Sequence, residues 1–141
     1  MLEHLTEAEK GYLAGILDGE GCIYILPRKR GKYYQSDLRV TISTTNINLI
    51  SWLKIKIPMK SCTLNPQKMK SGNAIFNFIV SGVLQSQIFL TEILPYLIVK
   101  KEQAELILTS NFSFLGYIKR MEVKEKLSQI RKNSFTEFTK T

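Results

Sequence analysis

Tyr12-Leu13-Ala14-Gly15-Ile16-Leu17-Asp18-Gly19-Glu20-Gly21-Cys22-Ile23-Tyr24 decides the fold, because it reads as a helix that ends on an acidic, glycine-flanked turn and runs straight into a strand. The helix starts at a capping box, Thr6 followed three residues later by Glu9, and Glu7 and Glu9 sit where the helix dipole favours negative charge. Gly11, Gly15 and Gly19 recur every four residues on one face, with Ala8 and Ala14 close by. Each interior glycine costs ~1 kcal/mol relative to alanine. Two arrangements offset that cost: a close helix crossing inside one core, or a glycine face along which two such helices touch, leaving Leu13, Ile16 and Leu17 for the chain's own sheet. At the helix end, Gly19 and Gly21 free the backbone to turn and bracket one carboxylate, Glu20. Glu20 faces the negative end of the dipole and gains nothing from it, so another positive charge is expected there, and a divalent metal is a natural candidate.

The chain of 141 residues has room for one domain with a real core, and 44% hydrophobic with 23% charged residues is ordinary globular composition. No segment approaches the ~20 apolar residues needed to span a bilayer, so no membrane is expected. Met1 to Lys10 is acidic and lacks the apolar stretch of a signal peptide, so a soluble, unprocessed chain is expected. Cys22 and Cys62 are the only cysteines and His4 the only histidine, which points to buried free thiols and away from a disulfide framework or zinc site. The net charge of +8 is unevenly distributed. Residues 1–21 carry one lysine and five acids, residues 22–91 ten bases against Asp37 alone, and residues 92–141 nine bases against six acids. A basic block facing one way is the footprint of a nucleic-acid surface, whereas solvated faces usually mix both signs.

After Gly21, Ile23 and Ile25 point one way and Tyr24, Leu26, Arg28 and Arg30 the other. Gly31-Lys32 makes a turn, and from about Gln35 a second strand places Leu38, Val40 and Ile42 inward and Gln35, Asp37, Arg39 and Thr41 outward. Asn46 reads as the N-cap of a helix to about Lys56, with Ile47, Ile50, Trp52, Leu53 and Ile57 covering the sheet and Pro58 closing it. A third strand runs from Ser61 to about Gln67, interrupted at Pro66, which marks an edge or a loop. A fourth alternates Ala74, Phe76, Phe78 and Val80 with Asn73, Ile75, Asn77 and Ile79. Ser81-Gly82 breaks it before a helix to about Leu94 that uses Val83, Leu84, Ile88, Phe89 and Leu90. Further helices begin near Lys100, carrying Ala104, Leu106, Ile107 and Leu108, and cover about Ile118 to Arg131. Residues 1–132 form one domain in this reading, and the tail Lys132 to Thr141 should fray. The expectation is an α+β fold, αββαββα, with helices on one face of a four-stranded antiparallel sheet and extra C-terminal helices. The other face stays open, basic, and rich in the side chains that read base edges in a major groove.

Leu13 to Gly21 resembles the LAGLIDADG motif of homing endonucleases: Leu13, Ala14, Gly15, Asp18 and Gly21 match, and Glu20 fills the acidic position, six of nine. The order of elements resembles that family over nearly the whole chain. The resemblance implies a saddle-shaped sheet lying along the major groove, and a ten-residue first strand would span ~33 Å, close to one duplex turn of ~34 Å. It implies Mg²⁺-dependent cleavage of both DNA strands, with Ca²⁺ as a substitute that supports no chemistry, and Glu20 and the carbonyl of Gly19 as metal ligands. It also implies an active-site lysine, matched by Lys100, and polar residues around the metal-bound water, for which the corresponding positions are Thr44 and Asn48. Asp18 reads as structural. The DNA-reading rows implied are Tyr24, Leu26, Arg28, Arg30, Lys32, Gln35, Asp37, Arg39 and Thr41 on the first hairpin, and Thr63, Asn65, Gln67, Lys68, Lys70, Ile75, Asn77 and Ile79 on the second. A single motif implies a homodimer through Gly11, Tyr12, Ala14, Gly15, Asp18 and Gly19, and a pseudo-palindromic target in intron-borne fashion. Two alternatives remain on the same scaffold: a maturase that binds the RNA of its own intron, and a DNA-binding protein that does not cut. Sixteen isoleucines point to an AT-rich genome such as a chloroplast's or mitochondrion's, with a prokaryotic cytoplasm as the other setting.

Overall fold

The computed structural model describes residues 2–57, 62–68 and 74–140, and for 62–68 and 134–140 the backbone alone. Helix α1 (Glu7–Glu20) opens on the expected capping box: Thr6 Oγ1 accepts from Glu9 N and Glu9 Oε1 from Thr6 N, both at 3.1 Å. It leads without a loop into β1 (Gly21–Arg30), which turns at Gly31-Lys32 into β2 (Tyr33–Thr44). Gly31 takes φ +59°, the first-position geometry that suits a two-residue hairpin. β2 therefore starts two residues earlier than the alternation of apolar residues indicates, because Tyr33 and Tyr34 extend the ladder beyond the core.

Asn46 caps α2 (Ile47–Lys56), its Oδ1 accepting from Asn48 N at 2.9 Å and Leu49 N at 3.1 Å. Ile50, Leu53 and Ile57 are buried as expected, but Ile47 is exposed: as the first helical residue it projects away from the stripe that covers the sheet. Pro58 lies outside the described residues. β3 (Cys62–Lys68) and β4 (Ala74–Ser81) complete an antiparallel sheet of order β1-β2-β4-β3. Both prolines within strands, Pro27 and Pro66, fall on the two edge strands, where a missing N–H is tolerated.

Helix α3 (Val83–Ile93) buries Ser86, Phe89, Leu90 and Ile93, whereas Leu84, in its first turn, is exposed and does not join the core. A 3₁₀ turn at Leu94–Tyr96 leads to α4 (Lys101–Thr109), and another at Phe112–Phe114 to α5 (Tyr117–Lys140). The last helix thus continues nine residues past Arg131, where the sequence pattern ended it. The core is a single cluster in which Ile23, Ile25, Leu38, Val40, Ile42, Phe78 and Val80 from the sheet meet Leu13, Ala14 and Leu17 of α1 and the inner faces of the other helices. All helices lie on that side, so the expected αββαββα layer is present and the opposite sheet face is uncovered. Among the described residues no helix is long and apolar enough to cross a membrane.

Candidate active site and nucleic-acid interface

The turn from α1 to β1 is shaped by space as much as by backbone freedom. Gly21 has φ −107° and ψ 174°, ordinary extended values, yet a Cβ there would lie 2.3 Å from Leu17 Cδ1, 2.8 Å from Leu17 O and 2.9 Å from Thr41 O. Only glycine lets the strand start this close beneath the helix. Gly19 is the last helical glycine before Glu20, exposed and with nothing within 4 Å of an added Cβ.

Glu20 emerges at the helix end into a cleft whose walls are Tyr12, Thr44, Asn46, Asn48, Leu49 and Trp52. A neighbouring hollow adds Ser43, Thr45 and Ile75. Thr44 and Asn48, inferred only through resemblance, are therefore beside Glu20. Asn46 joins them, although its sequence signal was fully accounted for as an N-cap. Thr44 Oγ1 accepts from Asn46 N at 3.0 Å, which leaves the Thr44 hydroxyl proton and the Asn46 amide N–H groups as donors toward the cleft. Tyr12 packs edge-on against Trp52, ring centroids 5.0 Å apart, and forms the outer rim.

The donor set fits a hard divalent cation. The Glu20 carboxylate has no hydrogen-bond or ion-pair partner among the described residues, and the surrounding polar atoms are neutral oxygens and amides. No group of three or more His, Cys, Asp or Glu that could hold a metal occurs among the described residues. Among the described residues the cleft thus holds one carboxylate, a hard oxygen ligand of the kind that divalent cations take.

Asp18 is the hub on the other side of the helix end. Its carboxylate accepts Ile98 N at 2.8 Å and Lys100 N at 2.9 Å, and its carbonyl accepts Lys100 Nζ at 2.8 Å. The structural reading of Asp18 fits this geometry. Lys100 is half-buried here, not a solvated residue at a helix start, and burial holds its ammonium below the ordinary lysine range, with Asp18 opposing the shift and Arg131 adding to it. Arg131, from α5, reaches the edge of β1, where it donates to the Ile23 carbonyl and approaches Cys22 Sγ at 3.6 Å, while its Nε donates to Gln103 Oε1 at 3.4 Å. No sequence pattern pointed to this bracket. Cys22 is a free thiol, half-buried where full burial was expected.

Of the six residues read as a helix–helix face, Tyr12, Gly15 and Gly19 are exposed on α1. Ala14 is not available, being fully buried in the core: one position before Gly15 turns a helical residue by about 100°, which here carries it off the exposed face. Gly11 is partly covered within the chain, an added Cβ coming 3.9 Å from Tyr96 Cδ1, and Asp18 is committed to the 98–100 segment.

On the uncovered sheet face the expected rows are in register: Cys22 pairs with Thr41, Tyr24 with Arg39, Leu26 with Asp37 and Arg28 with Gln35, while Thr41 pairs with Ile79 and Ser43 with Asn77. Arg30 and Lys32 are exposed at the far end of the hairpin. Ser43 Oγ donates to Asn77 Oδ1 at 2.5 Å, a link not foreseen. Asp37, read as a base-facing residue, is committed within the chain instead: its carboxylate takes Arg39 Nε and Gly82 N, each at 3.1 Å. Thr63, Asn65 and Gln67 pair through the backbone with Ile79, Asn77 and Ile75, and Lys68 with Ala74; the side chains of these four, and all of Lys70, lie outside the described residues.

Solved structures with the same architecture identify the fold. The chain matches the homing endonuclease I-CvuI in complex with the I-CreI target at TM-score 0.68 and 25% identity, over 88% of this chain and 82% of that one. It matches the archaeal intron-encoded homing endonuclease I-Vdi141I complexed with DNA at TM-score 0.66 and 14% identity, over 88% and 84%. This is a single-motif LAGLIDADG fold. The LAGLIDADG endonuclease I-GzeII, in complex with its DNA target, matches at TM-score 0.60 and 18% identity, with 86% of this chain covering 43% of that one. No family model and no curated protein sequence matches the chain. The motif-like stretch fills the second half of α1 and ends on Gly21, the first residue of β1; of its matching positions Leu13 and Ala14 lie in the core, Gly15 is exposed and Glu20 lines the cleft.

Proposed function

We propose that the chain is a site-specific DNA endonuclease that cuts both strands of a long pseudo-palindromic duplex as a homodimer, with Mg²⁺. The observation that carries this reading is Glu20, a carboxylate with no partner among the described residues, in a cleft of neutral polar groups set where α1 meets a sheet whose free face carries Arg28, Arg30, Lys32 and Arg39. Its support from similar proteins is that the homing endonuclease I-CvuI was solved on DNA with divalent metal, on the I-CreI target left uncleaved in 2 mM Mg and on its own target in 2 mM Ca, and that I-Vdi141I was solved on DNA.

What one chain lacks and what it exposes support a homodimer. It carries one Glu20, and two strands need two such turns. The outer face of α1 presents Gly15, Gly19 and Tyr12, the last 55% exposed. Beside it, Ile98 and Val99 are 85% and 65% exposed on the segment that Asp18 fastens to the helix. Small residues flanked by exposed apolar ones suit close contact with a second copy.

Bound Mg²⁺ supplies an activated water and neutralises charge developing on the scissile phosphate. Glu20 and the Gly19 carbonyl would hold it, and Thr44, Asn46 and Asn48 would orient the surrounding waters through their side-chain donors. Lys100 spends one of its three donors on the Asp18 carbonyl and offers the others to phosphate oxygen. Arg28 and Arg30 read base edges from the outward row, while Lys32 at the turn contacts phosphate. The test is selection of cleaved duplexes from a randomised library with Mg²⁺ present. One long site with two mirrored halves, cut on both strands, is expected; an asymmetric site, or nicks in one strand only, overturns the homodimer.

A further inference from the structure

Among the described basic residues of the open sheet face, Arg39 differs in that its guanidinium is held by a carboxylate of its own chain. Nε donates to Asp37 Oδ2 at 3.1 Å, and the other carboxylate oxygen of Asp37 accepts Gly82 N at 3.1 Å. Asp37 is thereby fixed at two points, by its own strand β2 and by the glycine that precedes α3, and it cannot swing away from Arg39. Across the ladder, Arg39 pairs with Tyr24. Burial works against the Arg39 charge, but the neighbouring Tyr24 and Asp37 side chains outweigh it and keep the group above the ordinary arginine range. Both side chains of the pair are about one-fifth exposed, so the arrangement is shielded from the screening that weakens surface ion pairs.

We propose that Asp37 is a positioning residue that locks Arg39 as a reader of guanine in the inner part of each half-site. This rests on the duplex-reading function proposed above. Guanidinium has five donors and no acceptor, and guanine offers two acceptors, O6 and N7, on its major-groove edge. A free arginine must be ordered when it binds; here Asp37 orders it on folding, so less conformational entropy is lost on the DNA. The position follows from the strand. Arg39 is opposite Tyr24, four residues nearer the Glu20 cleft than Arg28. At ~3.3 Å per residue, that is ~13 Å, or roughly four base pairs at ~3.4 Å, inward of the base that Arg28 meets.

The pairing has an electrostatic consequence that separates it from a merely structural ion pair. With Asp37 beside it, Arg39 carries almost no net charge to the DNA and contributes recognition rather than counterion release. Asp37→Asn keeps an acceptor for Gly82 N but removes the negative charge, so it both loosens Arg39 and unmasks a cation. Base preference at one inner position should fall roughly 5- to 100-fold, while affinity for unselected duplex rises and the salt slope steepens by about one unit. Arg39→Lys keeps the charge and loses the fork, so it should lose preference at that same position.

The experiment is binding selection from a randomised duplex library in Ca²⁺, followed by salt titration, with the full-length parent, Asp37→Asn, Arg39→Lys and Arg28→Ala. The proposal predicts that the Asp37 and Arg39 variants flatten one shared position in both halves, inward of the position flattened in Arg28→Ala. If Asp37→Asn leaves the profile of the parent intact while Arg28→Ala changes its own position, the buttress is overturned and duplex reading stands. If the two variants flatten different positions, the coupling is likewise overturned. A parent that selects no sequence overturns duplex reading itself, and this inference with it.

Discussion

Replacing Gly21 by alanine should destabilise the fold and displace the cleft together, for a steric reason worked from three contacts. The added Cβ would stand 2.3 Å from Leu17 Cδ1, 2.8 Å from Leu17 O and 2.9 Å from Thr41 O. Leu17 is fully buried, so its methyl cannot yield without disturbing Leu13, Ile23 and their neighbours. The two oxygens are backbone, one in the last turn of α1 and one in β2, so relief requires parting the helix from the strand. Overpacking of this kind costs ~1–3 kcal/mol. For a chain of this size ~1 kcal/mol corresponds to about 4 °C, so the melting temperature should fall by about 4–12 °C. Because φ at Gly21 is an ordinary −107°, backbone strain adds nothing to that figure. Glu20 is the preceding residue and must move with the turn, so DNA cleavage should fall further than stability alone accounts for. Thermal unfolding followed by circular dichroism measures the first effect, with Gly116→Ala, which meets nothing within 4 Å, as the control. If Gly21→Ala melts within about 1 °C of the parent, the crowding argument is wrong.

Other outcomes follow from the same structure. An alanine at Gly15 meets nothing within 4 Å in one chain and should add ~1 kcal/mol of helix propensity, yet weaken self-association measured by sedimentation; unchanged association refutes the helix face as the dimer contact. Lys100→Met should slow single-turnover cleavage and leave metal-dependent DNA binding intact, whereas an unchanged rate removes Lys100 from the site. Glu9 is paired with Lys56 at 2.6 Å and with the Thr6 backbone, and these hold its carboxyl below the usual range. A folded pKa below the unfolded one contributes stability that is present at neutral pH and lost as pH falls through the folded value. Glu9→Gln should therefore flatten the acid limb of the stability curve, and an identical pH profile would show that the pair contributes nothing.

Much of this fold was legible because its signals are local. Thr6 and Glu9 announce a capping box, Asn46 announces a cap, and the alternation through Ile23, Ile25, Leu38, Val40, Ile42, Phe78 and Val80 assigns one sheet face to the core. What escaped depends on residues far apart in the chain. Asp18 holds Ile98 and Lys100 across about 80 positions, and Arg131 grips β1 from more than 100 positions away. Helix α5 could not be bounded from its pattern because charged residues occur around most of its circumference, and Val123 and Leu127 are its buried apolar anchors. Ala14 was misplaced since sequence proximity to Gly15 says little about which way a helical residue points. Gly21 was read as a freely turning hinge, whereas its requirement is room beside Leu17 and Thr41, visible only once the elements pack. In the cleft, the family motif found Glu20, but Asn46 was hidden by its other role.

The most direct measurement compares the parent with Glu20→Gln on a duplex selected by the parent. The amide keeps the shape of the side chain and removes the charge that would hold the metal. Cleavage in Mg²⁺ should vanish, while affinity for the same duplex, measured in Ca²⁺, changes little. A Glu20→Gln protein that cuts at the parent's rate would contradict the account at its centre.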